Sequence, residues 1–295
     1  MSSLSGQTVG LIGLGLMGQP MGRNLLNAGA DLIVYNRSPE KIGIMVEAGA
    51  TGAASSQAVA EIADMVIIVS VDTSTLENIL FGENGVIGVV RDESLIIDMG
   101  TSDADATRAF AKKIEAAGGR YIDAPVSGGT VGAEQATLTI MAGGDAQDIE
   151  RARPVFDVLG SRLTHIGPQG AGQVAKTANQ MIVGLTIGAV AEALVLAKRA
   201  GADPAKVREA LKGGFADSRI LELHGERMIT ENFEPGGKCA TQCKDMELAL
   251  ALAAKVGLDL PGTALNRELY IRAIEAGWGG LDHSALFKVI ADNPA

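Results

Sequence analysis

Residues 9–18 read Val-Gly-Leu-Ile-Gly-Leu-Gly-Leu-Met-Gly, an apolar run that leads into the pattern Gly-x-Gly-x-x-Gly. In this pattern Gly13 allows a tight turn, Gly15 allows a pyrophosphate to approach the backbone, and Gly18 allows the next helix to pack on the strand. The pyrophosphate would lie on free N–H groups at the start of that helix. The stretch therefore predicts a dinucleotide-binding turn. Its cofactor-binding candidates are Gly13, Leu14, Gly15, Met17 and Gly18.

Short apolar runs alternate with helix-length segments through the first half of the chain. The predicted strands are at 8–12, 32–35, 65–69, 95–98 and 121–124. Strands that are apolar throughout and separated by helices indicate a parallel sheet covered on both faces. Two closing strands are predicted at 137–141 and 162–166, with a helix at 145–159 between them.

After Gly167 the pattern becomes helical. A helix of about 30 residues is predicted over 169–199, and at 1.5 Å per residue it would be about 45 Å long, enough to connect two domains. Further helical patterns are at 203–212, 218–229, 243–256, 262–276 and 284–290. The predicted organisation is a doubly wound α/β domain over 1–166, an interdomain helix over 167–199 and an all-α domain over 200–295.

Composition limits the classes of function. Of the 295 residues 47% are hydrophobic, and the net charge is −10. Without a basic tail, this charge disfavours binding to nucleic acid or to an anionic membrane surface. The uncharged run at 177–191 is shorter than the roughly 20 residues of a membrane span. The N-terminus also lacks the basic segment of a signal peptide, so we expect a cytoplasmic protein that uses no membrane.

The cysteines and histidines form no metal-binding pattern in the sequence. Cys239 and Cys243 are the only cysteines, and His165, His224 and His283 are scattered. A disulfide scaffold is not expected from two cysteines, and the spacings match no zinc motif. We therefore predict no metal site.

The end of the second strand bears on the choice of cofactor. An NAD site usually carries Asp or Glu at this point, for the ribose hydroxyls. Here residues 35–38 read Tyr-Asn-Arg-Ser, and a guanidinium fork suits a 2′-phosphate. We predict that NADP(H) is preferred and that NAD(H) is possible. The candidates for this contact are Asn36, Arg37 and Ser38.

Two later motifs are candidates for substrate chemistry. Residues 123–129 read Asp-Ala-Pro-Val-Ser-Gly-Gly, in which Ser127 and the amides of Gly128 and Gly129 could form an anion nest or only a structural turn. Residues 167–176 read Gly-Pro-Gln-Gly-Ala-Gly-Gln-Val-Ala-Lys. Lys176 is an isolated charge in an apolar stretch, so it must either extend to water or serve a site. Asn179 and Gln180 follow on the same helix face.

Together these segments resemble the β-hydroxyacid dehydrogenase family, the 3-hydroxyisobutyrate dehydrogenase and tartronate semialdehyde reductase group related to 6-phosphogluconate dehydrogenase. The resemblance covers nearly the whole chain. It rests on residues 13–21, residues 123–129, the Gly-x-x-Gly-x-Gly-x-x-x-Lys pattern that ends at Lys176, and the Lys244-Asp245 pair. It implies an α/β Rossmann domain joined by a long helix to an all-α C-terminal domain for substrate binding and oligomerisation, and hence a homo-oligomer.

The resemblance also implies roles for particular residues. Lys176 would be the catalytic acid and base, and Ser127, Gly128 and Gly129 would hold the carboxylate of the substrate. Lys244 would lie near cofactor and substrate, and Val71 and Thr101 near the cofactor. The implied reaction is hydride transfer between a nicotinamide and a small 3-hydroxy acid or semialdehyde carboxylate.

The chain departs from the family pattern at three places. The family often has Asn four residues after the catalytic lysine, where this chain has Gln180, so that either Asn179 or Gln180 could contact the substrate. The common Met-Leu-Pro after the fourth strand is replaced at 69–72, and a common aromatic residue is Gly237. These departures leave the identity of the semialdehyde open.

Two other readings keep the fold. An imine reductase is disfavoured, because an uncharged imine needs no carboxylate nest. A non-catalytic NADP(H)-binding protein is disfavoured by the intact set of site residues.

Overall fold

Nine strands form one sheet in the computed structural model, which describes residues 3–292. The chain divides into two units, Met1–Lys176 and Thr177–Ala295, and the sheet belongs to the first. The strands are β1 Thr8–Ile12, β2 Asp31–Tyr35, β3 Thr51–Gly52, β4 Met65–Ile68, β5 Leu95–Asp98, β6 Arg120–Asp123, β7 Val126–Ser127, β8 Leu138–Gly143 and β9 Gly160–Gly167. The eight helices that begin in the first unit are α1 Gly18–Asn27, α2 Pro39–Glu47, α3 Ser56–Ile62, α4 Thr73–Phe81, α5 Ala104–Ala116, α6 Gly129–Glu134, α7 Ala146–Leu159 and α8 Ala171–Arg199.

The strand order is β3-β2-β1-β4-β5-β6-β8-β7, with β9 beside β8. The first six strands pair in parallel, which confirms the predicted parallel-dominant sheet. Strand β8, however, runs antiparallel to β6 and β7, which the alternation of runs did not predict. The physical reason is length, because a parallel crossover needs about a dozen residues or more and the connection from β7 to β8 is shorter.

Both faces of the sheet are buried. Along the central strands successive side chains enter two different hydrophobic clusters, so that Leu11 and Ile67 lie in one and Ile12 and Ile68 in the other. Side chains alternate between faces along a strand, so a strand covered on both faces has an apolar residue at every position. This burial explains the continuous apolar runs in the sequence.

The second unit is all-α in the described residues, apart from one isolated bridge between Lys238 and Asp282. Its further helices are α9 Pro204–Leu211, α10 Arg219–Thr230, α11 Cys239–Lys255, α12 Pro261–Glu275 and α13 Leu286–Ala291. Helix α11 begins four residues before the predicted start at Cys243. The two cysteines are buried and continue the apolar face of this helix, as free cysteines do when they pack as small hydrophobic residues.

Helix α8 is the one helix in the described part of the chain that could cross a membrane by length and composition alone. The core helix of a soluble protein passes the same test. Ile187, Ala191 and Leu194 on α8 lie in the hydrophobic core of the second unit. We therefore interpret α8 as a core helix.

Candidate active site

The turn after β1 needs glycine at two positions. Gly13 has φ +100°, and a Cβ there would lie 2.3 Å from the carbonyl oxygen of Val69. A Cβ on Gly18 would lie 1.9 Å from the carbonyl oxygen of Gly13. A Cβ on Gly15, in contrast, would meet no heavy atom within 4 Å, so the space beside its backbone is open. The turn is therefore closed by its own chain at Gly13 and Gly18 and accessible to a ligand at Gly15.

Helix α1 begins without a side-chain cap. Met17 occupies its N-cap position and accepts no hydrogen bond through its side chain, whereas Ser55, Asp72, Asp103 and Asp145 cap α3, α4, α5 and α7. The first N–H groups of an uncapped helix have no intrahelical partner and can bind an anion. A pyrophosphate therefore fits the residues present at this turn.

Asn36 connects this turn to the end of β2. The N–H of Leu14 donates to Asn36 Oδ1 at 3.0 Å, and Asn36 Nδ2 donates to the carbonyl oxygen of Ser38 at 3.3 Å. Next to it, Arg37 is exposed and makes no ion pair with any residue in the described range 3–292. The structure therefore gives Asn36 a role in shaping the turn and leaves the Arg37 guanidinium available for a phosphate.

The segments that follow β4 and β5 lie against each other, because a Cβ on Gly100 would lie 2.7 Å from the carbonyl oxygen of Ser70. Val71 and Thr101 are the next residues of the two segments. Val71 is 69% exposed. The carboxyl ends of parallel strands are where doubly wound sheets bind their ligands. Val71 thus offers apolar surface at the edge expected for a cofactor.

The segment that follows β6 contains the predicted anion nest. Gly128 has φ +137° and Gly129 has φ +62°, conformations that favour glycine over other residues. Both positions therefore favour glycine. Because neither residue has a Cβ, no side chain covers the backbone N–H groups that follow Ser127.

Lys176 is buried beside this segment. Its side chain is 7% exposed, and Nζ donates to the carbonyl oxygen of Val126 at 2.7 Å. A lysine that merely extends to water would be exposed, so the structure excludes that alternative. The ammonium group is held instead by the residue that precedes Ser127.

Asp123 fixes the start of α8, a role that the sequence analysis missed. Its Oδ1 accepts from the N–H of Gly170 at 2.7 Å and its Oδ2 from the N–H of Gln173 at 2.9 Å. Burial raises the pKa of Asp123 to about 7, against these two hydrogen bonds, which favour the ionised form, and with a further contribution from the charge of Asp98. The signal in the sequence is a carboxylate that follows the buried Tyr121 and Ile122 at the end of the strand.

Gln173 carries a second set of buried hydrogen bonds. Its Nε2 donates to Asp98 Oδ2 and to the carbonyl oxygen of Gly100, both at 3.1 Å, and its Oε1 accepts from the N–H of Ser102 at 3.1 Å. The Oγ of Ser102 also donates to Asp98 Oδ2 at 3.0 Å. The first turn of α8 is thus held by polar side chains from the ends of both β5 and β6.

The remaining substrate candidates lie together in the second unit. Asn179 Nδ2 donates to Gln180 Oε1 at 2.8 Å, and Gln180 Nε2 donates to Asp245 Oδ2 at 2.5 Å. Lys244 Nζ lies 2.9 Å from Asp245 Oδ1. The structure therefore places Asn179, Gln180 and Lys244 in one polar cluster and adds Asp245, which the sequence analysis had quoted only as part of a motif.

Three possible metal ligands also meet in the second unit, although the spacing in the sequence predicted none. Ligand atoms of His224, Asp282 and His283 lie within 4.8 Å of one another. Asp282 Oδ1 accepts from the N–H and Oγ of Ser284, and Oδ2 accepts from the N–H groups of the two residues 236 and 237. Burial alone would raise the pKa of Asp282, but hydrogen bonds from His224 and Ser284 and the charge of His283 hold it below its usual range. Both carboxylate oxygens of Asp282 therefore already accept hydrogen bonds within the protein.

Family models match both units. Residues 8–167 match the NAD-binding domain of 6-phosphogluconate dehydrogenase, and residues 170–290 match the NAD-binding domain of NADP-dependent 3-hydroxyisobutyrate dehydrogenase. Together these matches cover most of the chain.

Named relatives match over almost their full lengths. The chain is 46% identical over 282 residues to 2-hydroxy-3-oxopropionate reductase of Escherichia coli, covering 96% of each chain. It is 35% identical to 3-hydroxyisobutyrate dehydrogenase of Pseudomonas aeruginosa, covering 95% of this chain and 97% of the relative. Among solved structures, 3-hydroxyisobutyrate dehydrogenase of Salmonella typhimurium superposes with a TM-score of 0.88 at 29% identity, covering 96% of this chain and 99% of that one.

Proposed function

We propose a specific reaction for this chain, which belongs to the β-hydroxyacid dehydrogenase family of NAD(P)-dependent enzymes. The reaction is the NADPH-dependent reduction of the aldehyde group of 2-hydroxy-3-oxopropionate to the corresponding hydroxymethyl group, and its reverse. The 46% identity to a 2-hydroxy-3-oxopropionate reductase supports this substrate. The exposed Arg37, in the place of a ribose-binding carboxylate, supports the preference for NADP(H).

Apart from Lys244, which belongs to the second unit, the residues that would hold the cofactor lie in the first unit. The open backbone at Gly15 and the uncapped start of α1 would bind the pyrophosphate, and Arg37 with Ser38 would bind the 2′-phosphate. Val71 and Thr101 would lie beside the nicotinamide. When bound, the cofactor supplies or accepts the hydride.

The protein's own residues orient the substrate and move the proton. Ser127, Gly128 and Gly129 hold the carboxylate. In reduction, Lys176 Nζ gives a proton to the aldehyde oxygen while the aldehyde carbon gains the hydride, which leaves a neutral amine. In oxidation, the neutral amine takes the proton of the hydroxyl group. The hydrogen bond to Val126 fixes the direction in which Nζ can act.

One observation carries this proposal. An ammonium group is buried in the first unit, bonded to the carbonyl oxygen that directly precedes the Ser127-Gly128-Gly129 turn. Burying a charge is costly unless the charge has a partner or a task. The contact with Val126 puts the ammonium group beside the Ser127-Gly128-Gly129 turn, so a task at a ligand bound on that turn accounts for its position.

The test is replacement of Lys176 by alanine. We expect kcat to fall by about 100-fold or more, the usual scale for general acid–base catalysis, while the affinity for NADPH changes little. Lys176→Arg should not restore activity, because a guanidinium stays protonated and has a different shape. Lys198→Ala, which removes an exposed lysine from the same helix, is the matched control. A folded Lys176→Ala protein that keeps more than about a tenth of the wild-type kcat would contradict the assignment.

A substrate panel separates this reaction from the alternatives. It contains 2-hydroxy-3-oxopropionate, methylmalonate semialdehyde, succinic semialdehyde, glyoxylate and a cyclic imine, each with NADPH and with NADH. We expect the highest kcat/KM for 2-hydroxy-3-oxopropionate. The 35% identity to a 3-hydroxyisobutyrate dehydrogenase makes methylmalonate semialdehyde the second candidate. Turnover of the imine alone would favour an imine reductase, and cofactor binding without any turnover would favour a non-catalytic protein.

A further inference from the structure

We propose that His224 and His283 form a binding site for one divalent transition-metal ion of the zinc class, each through the Nε2 atom of its imidazole ring. The site lies wholly within the second unit and does not depend on the proposed function. The evidence is the spacing of the two Nε2 atoms, the groups that face the two Nδ1 atoms, and the glycine against which the ring of His283 lies.

The two rings come from separate parts of the second unit. His224 is in helix α10, and His283 lies three residues before the start of α13. Their Nε2 atoms are 3.3 Å apart, and the ring planes make an angle of 82°. Two imidazole nitrogens that bind one zinc ion at about 2.0 to 2.1 Å in tetrahedral geometry are about 3.3 to 3.4 Å apart. The pair therefore has the spacing of two ligands of a tetrahedral site.

The groups around His224 favour a lone pair on its Nε2. Its Nδ1 lies 3.4 Å from Oδ1 of Asp282. Asp282 is fully buried, and its Oδ2 lies 3.1 Å from Nη1 of Arg227, a contact that favours the carboxylate form. Because a carboxylate attracts a ring hydrogen, the neutral imidazole of His224 carries its hydrogen on Nδ1. A carboxylate behind the ring is also the usual support of a metal-binding histidine.

The groups around His283 have the same effect on its ring. Its Nδ1 lies 3.4 Å from Oε1 of Gln242. Gln242 is 1% exposed, and its Nε2 donates to the main-chain oxygen of Gln180 at 2.9 Å. A main-chain carbonyl only accepts, so the amide nitrogen of Gln242 must face it and the amide oxygen must face His283. The neutral ring of His283 therefore carries its hydrogen on Nδ1 and a lone pair on Nε2.

Two neutral rings with these hydrogens cannot form a hydrogen bond through Nε2, because both atoms are acceptors. Their separation of 3.3 Å is favourable when both lone pairs bind one cation. Neutral imidazole suits zinc, nickel and copper ions, whereas magnesium and calcium ions prefer oxygen ligands. The side chain of His224 is 15% exposed, so water can complete the coordination of the ion.

Gly237 makes room for the ring of His283. A Cβ on Gly237 would lie 3.3 Å from Cε1 of His283 and 3.5 Å from both of its ring nitrogens. The N–H of His283 also donates to the carbonyl oxygen of Gly237 at 2.7 Å. A large side chain at this position would take the place of the imidazole. The glycine that stands where the family commonly has an aromatic residue therefore fits a site built on His283.

The experiment is calorimetric titration of the chelator-treated, full-length protein with Zn²⁺ at about pH 7.5, above the ordinary histidine pKa of about 6.5. We expect one ion per chain, and much weaker binding of Mg²⁺. His224→Ala and His283→Ala should each lower the affinity for Zn²⁺ by at least about tenfold, because loss of even a supporting group behind a ligand costs about 10- to 100-fold. Zn²⁺ should raise the Tm of the wild type more than that of either variant.

The matched control is His165→Ala, which removes the third histidine of the chain. His165 lies in the first unit, where its Nε2 is 3.0 Å from the carbonyl oxygen of Gly144. The affinity of this variant for Zn²⁺ should equal that of the wild type. If His224→Ala does not fold, His224→Gln is measured in its place, because it keeps an N–H group for Asp282 and removes the imidazole.

Nitrogen NMR of protein labelled at histidine gives a second readout. Zn²⁺ should shift the Nε2 resonances of two of the three histidines while their Nδ1 atoms stay protonated. The inference is overturned if the wild type binds no Zn²⁺, or if both folded variants bind it as tightly as the wild type. It is also overturned if both rings respond to pH and not to Zn²⁺, since the pair would then share a proton and not a metal ion.

Discussion

Two opposing effects act on the pKa of the buried carboxyl group of Asp123. The pH dependence of the free energy of unfolding shows which effect is larger. Burial raises the pKa of Asp123 from the ordinary 3.8 to about 7, although the N–H groups of Gly170 and Gln173 favour the ionised form. Between pH 3.8 and about pH 7 the folded protein binds a proton at Asp123 that the unfolded chain has released. The stabilising contribution of the protonated group is therefore lost as the pH rises through this interval.

The change to test is Asp123→Asn, which keeps the shape of the side chain but does not titrate. The two pKa values differ by roughly three, which corresponds to about 4 kcal/mol at about 1.4 kcal/mol for each. We expect the free energy of unfolding of the wild type, relative to that of Asp123→Asn, to fall by about this amount from about pH 4 to about pH 7 and to stay level above it.

The measurement is urea unfolding, followed by circular dichroism, of both proteins at several pH values. Asp31→Asn, which replaces an exposed carboxyl group at the start of β2, is the control variant. A difference between wild type and Asp123→Asn that is flat across the interval, or that grows with pH, would refute the reasoning. It would mean that the two N–H groups outweigh burial and keep Asp123 ionised.

Two further predictions concern the cofactor and the assembly. Arg37→Asp should reverse the preference for NADP(H), because a charge-assisted contact to a phosphate worth about 1.5 to 3 kcal/mol is replaced by repulsion; equal or better kcat/KM with NADH in the wild type would contradict this. The second unit exposes Ile182, Leu196 and Leu265, which are 67%, 70% and 63% exposed, so we predict at least a dimer built on this unit. Light scattering at micromolar concentration that gives the 30.3 kDa mass of one chain would contradict it.

The fold could be predicted from the sequence where local pattern and tertiary burial agree. The run 9–12 is apolar at every position because both of its faces are buried, and one face of α8, with Ile187, Ala191 and Leu194, is apolar because it lies in the core of the second unit. The direction of β8 was not predictable in this way, because a strand's pattern reports what covers it and not which neighbour it pairs with. The early start of α11 depends on cysteines that pack as apolar residues, which only burial reveals.

Motifs in the sequence identified the site residues whose role depends on their own backbone conformation or on residues close to them in the chain. Gly13 and Gly128 have positive φ values that glycine adopts easily, and such positions recur at fixed spacings. The residues missed are those that act on partners far along the chain. Asp123 binds backbone N–H groups some fifty residues later, and Gln242 holds a side chain that precedes it by 62 residues. No spacing in a single sequence indicates such pairs, although a polar residue within an apolar stretch is a reason to look for one.

The polar contacts around α8 share one consequence, which is that they fix Lys176. Apolar packing alone tolerates small rotations of a helix, whereas hydrogen bonds have strict distances and angles. Asp123 holds the backbone of the first turn, Gln173 binds the end of β5, and Val126 receives the lysine itself. Under the proposed function Lys176 is the proton donor, which must lie within hydrogen-bond reach of the reacting oxygen, so a displacement of about 1 Å is enough to slow the reaction. The buried carboxyl and amide groups therefore cost stability that the fold could otherwise keep, and in return they determine where the ammonium group of Lys176 lies.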